Sequence, residues 1–253
     1  MLWWRPPLES NDALTASPPM NAAAQRNRLQ SSTLAFLAAY VDTLGFIALF
    51  GLFTAHVTGN FILIGAALAD SSQMSILLKF LAFPAFILGV AAARLFIAAI
   101  QRRQGRALGW SLLLQLVLLL GFMVCGVAAA PVQSPTAGWV MAAGLLGTAS
   151  MGVHSAISRL LLAHLAPTSL MTGNVTQVVI DVVDMLRGAA DAGTTERCVK
   201  FVWPVLSFGV GAIAAAFAYH AIGFAGLIAP VLILVALIVA EFRQPLPADS
   251  ARG

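Results

Sequence analysis

Six long apolar runs, each about as long as a membrane is thick, dictate what this chain can fold into. A helix needs roughly 20 residues to cross a hydrocarbon core of about 30 Å. The runs Thr33 to Phe53, Ile76 to Ile100, Leu108 to Ala129, Gly138 to Ala163, Lys200 to Tyr219 and Ala221 to Glu241 all reach that length. Their apolar residues fill every side rather than one stripe, so these surfaces must meet lipid or one another. Composition agrees: 60% of the 253 residues are hydrophobic and 9% are charged, unlike a soluble domain. The expected architecture is an all-α membrane protein with the lipid bilayer as its first partner.

Residues 1–32 mix Pro, Ser, Asn and Arg without an apolar stretch long enough for a signal peptide. They are expected to form a disordered cytoplasmic tail, in which Met20 is a second candidate start, and residues 242–253 a second tail. Between them lie two membrane repeats, 33–130 and 138–241. The net charge of +4 does not point to nucleic acid, because the basic residues fall between the apolar runs and set topology instead. Cys125 and Cys198 lie in an apolar run and a polar loop and are assigned to packing.

Two further apolar segments are too short to cross. FILIGAALA after Asn60 and VTQVVIDVV after Asn174 end at Asp70 and Asp184; about ten helical residues cover roughly 15 Å, half the core. The stretch from Phe53 to Thr58, extended at roughly 3.3 Å per residue, covers the other half. A re-entrant hairpin is expected in each case, extended going in and helical coming out, with its irregular backbone buried in protein or lining a cavity.

The two segments are copies. TAHVTGNFILIGAALAD (Thr54 to Asp70) aligns without a gap on TSLMTGNVTQVVIDVVD (Thr168 to Asp184), matching Thr54 with Thr168, Thr58 with Thr172, Gly59 with Gly173, Asn60 with Asn174 and Asp70 with Asp184. The runs starting at Lys79 and Lys200 match as well, with Pro84 over Pro204 after one gap. Three crossings and one half-helix per copy force the second copy upside down. With the amino terminus in the cytoplasm, Arg26, Arg28, Arg102, Arg103, Arg106, Arg187, Arg197 and Arg243 all fall inside, while the turns APVQSPTA and YHAIGFAG carry no Lys or Arg. Six transmembrane helices with both termini cytoplasmic satisfy the positive-inside tendency.

The stretch YVDTLGF followed by a TGN element, with a second TGN in the other half, resembles the YoaK-type family of bacterial membrane proteins. The resemblance extends from Thr33 to Glu241 and implies a six-span inner-membrane protein with no established biochemical activity. Where the family has Gly-x-Gln-Asn-Ala, this chain reads Gly152-Val153-His154-Ser155-Ala156.

The residues expected to carry function surround the hairpin tips. Helix amino termini present unpaired N–H groups and a positive dipole end, which suit an anion or a polar group. Thr58 and Thr172 fit as N-caps, Gly59 and Gly173 permit close backbone approach, and Asn60 and Asn174 supply amide donors and acceptors. The same residues equally suit a purely structural cap. Asp42 and His154 lie near mid-membrane depth in the first span of each half, where an ionisable group needs a partner or water. Arg94 is the expected partner of Asp42. Asp181 and Asp184 share one helix face and are expected to meet cytoplasmic water, and Lys79 and Arg159 to snorkel.

The sequence contains no GxxxxGK, HExxH or CxxC motif and no polar-domain Ser-His-Asp set. No cofactor, metal or enzymatic activity is expected. The expected role is a passive or ion-coupled transporter or channel for a small polar or anionic solute bound between the TGN elements, with a homo-oligomer open to such a chain. Its rivals are a non-catalytic scaffold or accessory subunit and an intramembrane enzyme using Asp42 and His154 as an acid–base pair.

Overall fold

A computed structural model describes residues 19–69, 75–103, 105–169 and 171–244. Eight α-helices follow one another: α1 (Pro19–Ala48), α2 (Gly59–Ala69), α3 (Ile76–Arg102), α4 (Ala107–Ala129), α5 (Gly138–Leu160), α6 (Met171–Leu186), α7 (Thr194–Ile222) and α8 (Ile228–Arg243), with a 3-10 turn, Gly223–Leu227, before α8. Among the described residues there is no strand. Five helical stretches are long and apolar enough to cross a membrane, the last taking α7, the 3-10 turn and α8 together (Thr194–Arg243).

Three boundaries differ from the sequence reading. α1 begins at Pro19, well ahead of Thr33, so the end of the expected first tail is helical; residues 1–18, residues 245–253 and the repeat marker Asp70 lie outside the described residues. The expected sixth span, from Ala221, does not form a separate long helix. Gly223 interrupts it at φ 61° and α8 starts only at Ile228, since a positive φ suits glycine and ends the preceding helix. α6 has 16 residues rather than about ten, because it takes in residues 171–174 ahead of the expected segment and 184–186 after it.

Close contacts give each long helix a direction. α7 lies along α1 in the same sense: the Arg28 guanidinium sits over the Trp203 ring, Gly211 lies against the Phe36 backbone, and the Tyr40 hydroxyl donates to the Gly226 carbonyl at 2.9 Å. α3 and α5 likewise run together, Leu78 beside Gly144 and the Phe86 to Val90 backbone beside Gly152. A methyl at Gly89 or Gly211 would overlap a carbonyl oxygen of the neighbouring helix, that of Ala149 or of Phe36. Glycine is what lets two backbones approach that closely.

The end of α1 meets the starts of α3 and α5, with Leu49 and Leu52 over Gly144, so α1 runs against both. α4 runs against α5, with Gly121 near Leu146 and Gln115 near His154, and α8 runs back along α4 from Phe224 at Gly126 to Phe242 at Gly109. The senses along the chain are therefore α1 up, α3 down, α4 up, then α5 down, α7 up, α8 down. The starts of α1, α4 and α7 and the ends of α3, α5 and α8 share one end of the bundle, which carries Arg28, Arg102, Arg106, Arg159, Arg197 and Arg243.

Side chains fill the middle tightly. Leu37, Leu44, Leu49, Leu119, Phe122, Met151 and Leu227 are fully buried, whereas α2, α3 and α6 turn Ile62, Leu68, Leu88, Leu95 and Leu186 outward. An outward apolar surface beside a packed interior suits a lipid solvent.

Candidate functional site: two polar centres under the hairpin tips

After α1 the chain reverses. Phe50 (φ 54°) and Gly51 (φ 75°) are left-handed, and the Gly51 N–H returns to the Phe46 carbonyl at 2.9 Å, a helix-ending pattern. Holding a phenylalanine there costs about 1 kcal/mol. The Phe50 carbonyl is fixed by Lys79 Nζ at 2.8 Å and Ser75 Oγ at 3.2 Å. Lys79 is thus buried and pins the end of α1 rather than snorkelling, because α3 starts beside that carbonyl.

The next segment travels back along α1, and its amides pair with a side chain of that helix. Asp42 supplies the acceptors. Its Oδ1 accepts from the Thr54 N–H at 2.6 Å, the Ala55 N–H at 2.6 Å and the Thr54 hydroxyl at 3.1 Å, and its Oδ2 is 2.7 Å from His56 Nδ1. Asp42 is 4% exposed. Arg94, its expected partner, is exposed on α3; the hairpin's own histidine takes that place.

Asn60, buried in the first turn of α2, closes the loop from the other side. Its Oδ1 accepts from the Phe53 N–H at 3.0 Å and its Nδ2 donates to the Phe53 carbonyl at 2.8 Å. The start of α2 differs from expectation. The N–H groups of Gly59, Asn60 and Phe61 donate to the carbonyls of His56, Val57 and Thr58, a tight 3-10 turn that consumes the donors a free helix end would offer. Thr58 is exposed immediately before α2, and Gly59 lies under the Phe53 ring.

The second half repeats this plan with different chemistry. His154 on α5, buried at 2% exposure, has Nε2 3.0 Å from the Thr168 hydroxyl and Nδ1 3.2 Å from Gln115 Nε2 on α4. Ser150 Oγ donates to the Gln115 carbonyl, and Ser155 meets Ser169 at 3.2 Å. Gln115 Oε1 is buried without a hydrogen-bond partner. Asn174 Nδ2 donates to the Pro167 carbonyl at 2.8 Å, seven positions back as in the first half. Proline has no N–H, so only one of the two Asn60-type bonds recurs. Thr172 falls inside α6 rather than at its cap, and Thr172 and Gly173 are exposed with open space beside the glycine.

The matching threonines, Thr54 and Thr168, are therefore each held by an ionisable residue of the preceding long helix. The TGN asparagines bond to their own loops. α2 packs on α3 through Phe61 and Phe83, ring centres 4.8 Å apart, and α6 packs on α7; the two short helices do not touch each other. Asp181, expected in water, is fully buried on α6 and accepts from Arg197 Nε at 2.9 Å and Gln177 Nε2 at 2.9 Å. Sequence reading missed His56, Gln115 and Arg197 as partners, since a reversing loop and a neighbouring helix bring them in at no regular spacing.

Two cavities flank the bundle. One of about 830 Å³ opens at the basic end, lined by Arg28, Ser31, His164, Leu165, Arg197 and Lys200 among others. One of about 540 Å³ opens at the other end beside Phe50, Val132, Tyr219 and Phe224. Neither is lined by a TGN residue.

Long apolar helices, an outward apolar surface and irregular loops stitched by buried polar side chains define a multi-pass membrane protein. The family described as protein of unknown function DUF1275 matches residues 30–240, and the chain belongs to that family. It is similar to the UPF0700 transmembrane protein YoaK of Bacillus subtilis (strain 168), 41% identical over 78 residues, which are 31% of this chain; the match spans 34% of that relative's length. No solved structure matches.

Proposed function

We propose that the protein moves a small polar or anionic solute across the bacterial inner membrane, as a passive or ion-coupled transporter or channel, and performs no catalysis. The observation that carries this reading is the pair of buried polar centres, Asp42–Thr54–His56 and His154–Gln115–Thr168, deep in an otherwise apolar bundle. Ionisable groups at such depth are costly and mark solute or proton pathways by default.

In this reading the halves are inverted repeats of three crossings each, which the opposite senses of α1, α3, α4 and α5, α7, α8 support. α2 and α6, with the loops before them, are re-entrant hairpins. The end rich in arginine is cytoplasmic, so both termini are cytoplasmic. Thr58, Gly59, Thr172 and Gly173 are the solute-facing candidates, and Asn60 and Asn174 hold the tips in shape. The basic cavity is the cytoplasmic vestibule: its Leu165 and Ala166 lie just before Thr168, hence before the second polar centre.

One observation favours a non-catalytic scaffold instead: the asparagines are engaged with their own loops, and neither cavity reaches a TGN element. Flux separates the two. Purified protein in liposomes is tested with chloride, nitrate, inorganic phosphate, formate, glycerol and urea against empty liposomes. Faster passage of at least one probe, reduced in Asp42→Asn or His154→Leu, is expected; six rates equal to those of empty liposomes leave the scaffold.

A further inference from the structure

We propose that His56 and Asp42 form a reversible proton-binding site, and that protons taken up at His56 Nε2 couple solute passage to the pH gradient. This rests on the transport reading above and adds to it the coupling ion and the residue that carries it.

The geometry defines which atom can exchange a proton. Asp42 Oδ1 already accepts three donors, and Oδ2 lies 2.7 Å from His56 Nδ1. A proton between Oδ2 and Nδ1 fixes the ring orientation and leaves Nε2 with a free lone pair. Among the described residues Nε2 has no hydrogen-bond partner, and the His56 side chain is 31% exposed while that of Asp42 is 6% exposed. The imidazole thus has one nitrogen locked to a carboxylate and the other open.

The surroundings are simple. From α1 the ring faces Asp42, from α7 it faces the Phe208 ring edge-on at 5.7 Å, and from its own loop it faces Phe53 at 6.3 Å. Among the described residues Asp42 is the one charged group within ion-pair distance. Without a proton on Nε2 the pair carries a net charge of −1; with one it is neutral. In an apolar setting that difference is large.

The same carboxylate holds the hairpin tip through the Thr54 and Ala55 amides, so its charge also sets how firmly the tip is tied to α1. Protonating the ring draws Asp42 toward the imidazolium and weakens its hold on those amides. His56 further touches Phe208 on α7, a helix of the other half. A proton there can therefore alter both the tip and the seam between halves. The second centre has no counterpart: His154 meets an amide and a hydroxyl, with no carboxylate, which makes the first half the proton-carrying one.

The test uses the full chain in nanodiscs with nitrogen-15-labelled histidine, followed by NMR between about pH 5 and 9. The His56 ring is assigned by the signal lost in His56→Gln. The expected result is a passage from one neutral tautomer to imidazolium, with proton affinity falling about tenfold or more in Asp42→Asn. A ring fixed in one protonation state throughout, or an unchanged midpoint in Asp42→Asn, overturns the site. In liposomes the same six probes are followed with and without a pH gradient. Wild-type flux that responds to the gradient, and His56→Gln flux that does not, supports coupling. Wild-type flux indifferent to the gradient overturns coupling and leaves transport standing. If no probe moves, transport and coupling fall together, while the NMR titration still decides the proton site.

Discussion

Replacing Asn60 with leucine should destabilise the fold about twice as much as the matching change at Asn174. Leucine keeps the branching and the number of heavy atoms and removes the amide's donor and acceptor. At Asn60 this strands two groups, the Phe53 N–H and the Phe53 carbonyl. At Asn174 it strands one, the Pro167 carbonyl. An unsatisfied buried polar group costs about 1–3 kcal/mol, and a lipid surround offers no water to soften the loss. The expected penalties are therefore about 2–6 kcal/mol for Asn60→Leu and about 1–3 kcal/mol for Asn174→Leu. Unfolding each variant by rising SDS fraction in mixed micelles reads the difference. The second-half variant can be restored to the first-half pattern by Pro167→Ala, which supplies the missing N–H; Asn174→Leu in that background should then cost more than it does alone. Equal penalties for the two asparagines, or no loss at Asn60, would show that these amides do not hold the loops and would refute the reasoning.

Other outcomes follow from the packing and the charges. Gly89→Ala and Gly211→Ala should abolish folded protein in size-exclusion profiles, because a methyl there meets a backbone carbonyl, whereas Gly65→Ala and Gly209→Ala, with nothing within 4 Å, should be silent. Arg197→Met should lower stability by leaving the buried Asp181 carboxylate without its cation, and adding Asp181→Asn should recover part of the loss in the same unfolding assay. Asp191, in the loop between α6 and α7, is held below the usual carboxylate range by the Thr194 hydroxyl and the Gly193 N–H. Its folded value is the lower one, so its contribution is present above the ordinary value of 3.8 and is lost as pH falls through the depressed value. The stability gap between wild type and Asp191→Ala should accordingly close in acid below that range, while a gap that widens there would reverse the sign.

Apolar run length made the membrane class and most helices readable, because lipid forces every spanning backbone to satisfy itself within the segment. The copied TGN elements were readable because they repeat without a gap, and one bond recurs in both copies, from the asparagine amide to the carbonyl seven positions back. What the sequence hid is what bonds to what. Asp42 looked to Arg94, a plausible ion pair by depth, yet its partner is His56, brought back alongside by the left-handed turn at Phe50 and Gly51. Lys79 and Asp181 looked like surface charges near helix ends, yet each is buried on a neighbouring element, one on the Phe50 carbonyl and one on Arg197. Depth along a helix can be counted from residues, but which face meets a neighbour depends on packing. The bare amides expected at α2 vanish for a local reason, since a 3-10 turn before the helix uses them within three residues.

In the proposed topology the first hairpin enters and leaves the membrane by the same face. Single cysteines at Gln25, Ala69 and Arg103, each in a background with Cys125 and Cys198 replaced by serine, can be labelled with a membrane-impermeant maleimide in sealed vesicles of known orientation. In that topology Gln25→Cys and Arg103→Cys react from the cytoplasmic face and Ala69→Cys from the opposite one. Ala69→Cys reacting from the same face as Gln25→Cys would mean that α2 crosses completely, and the proposed polar centre beneath its tip would not exist.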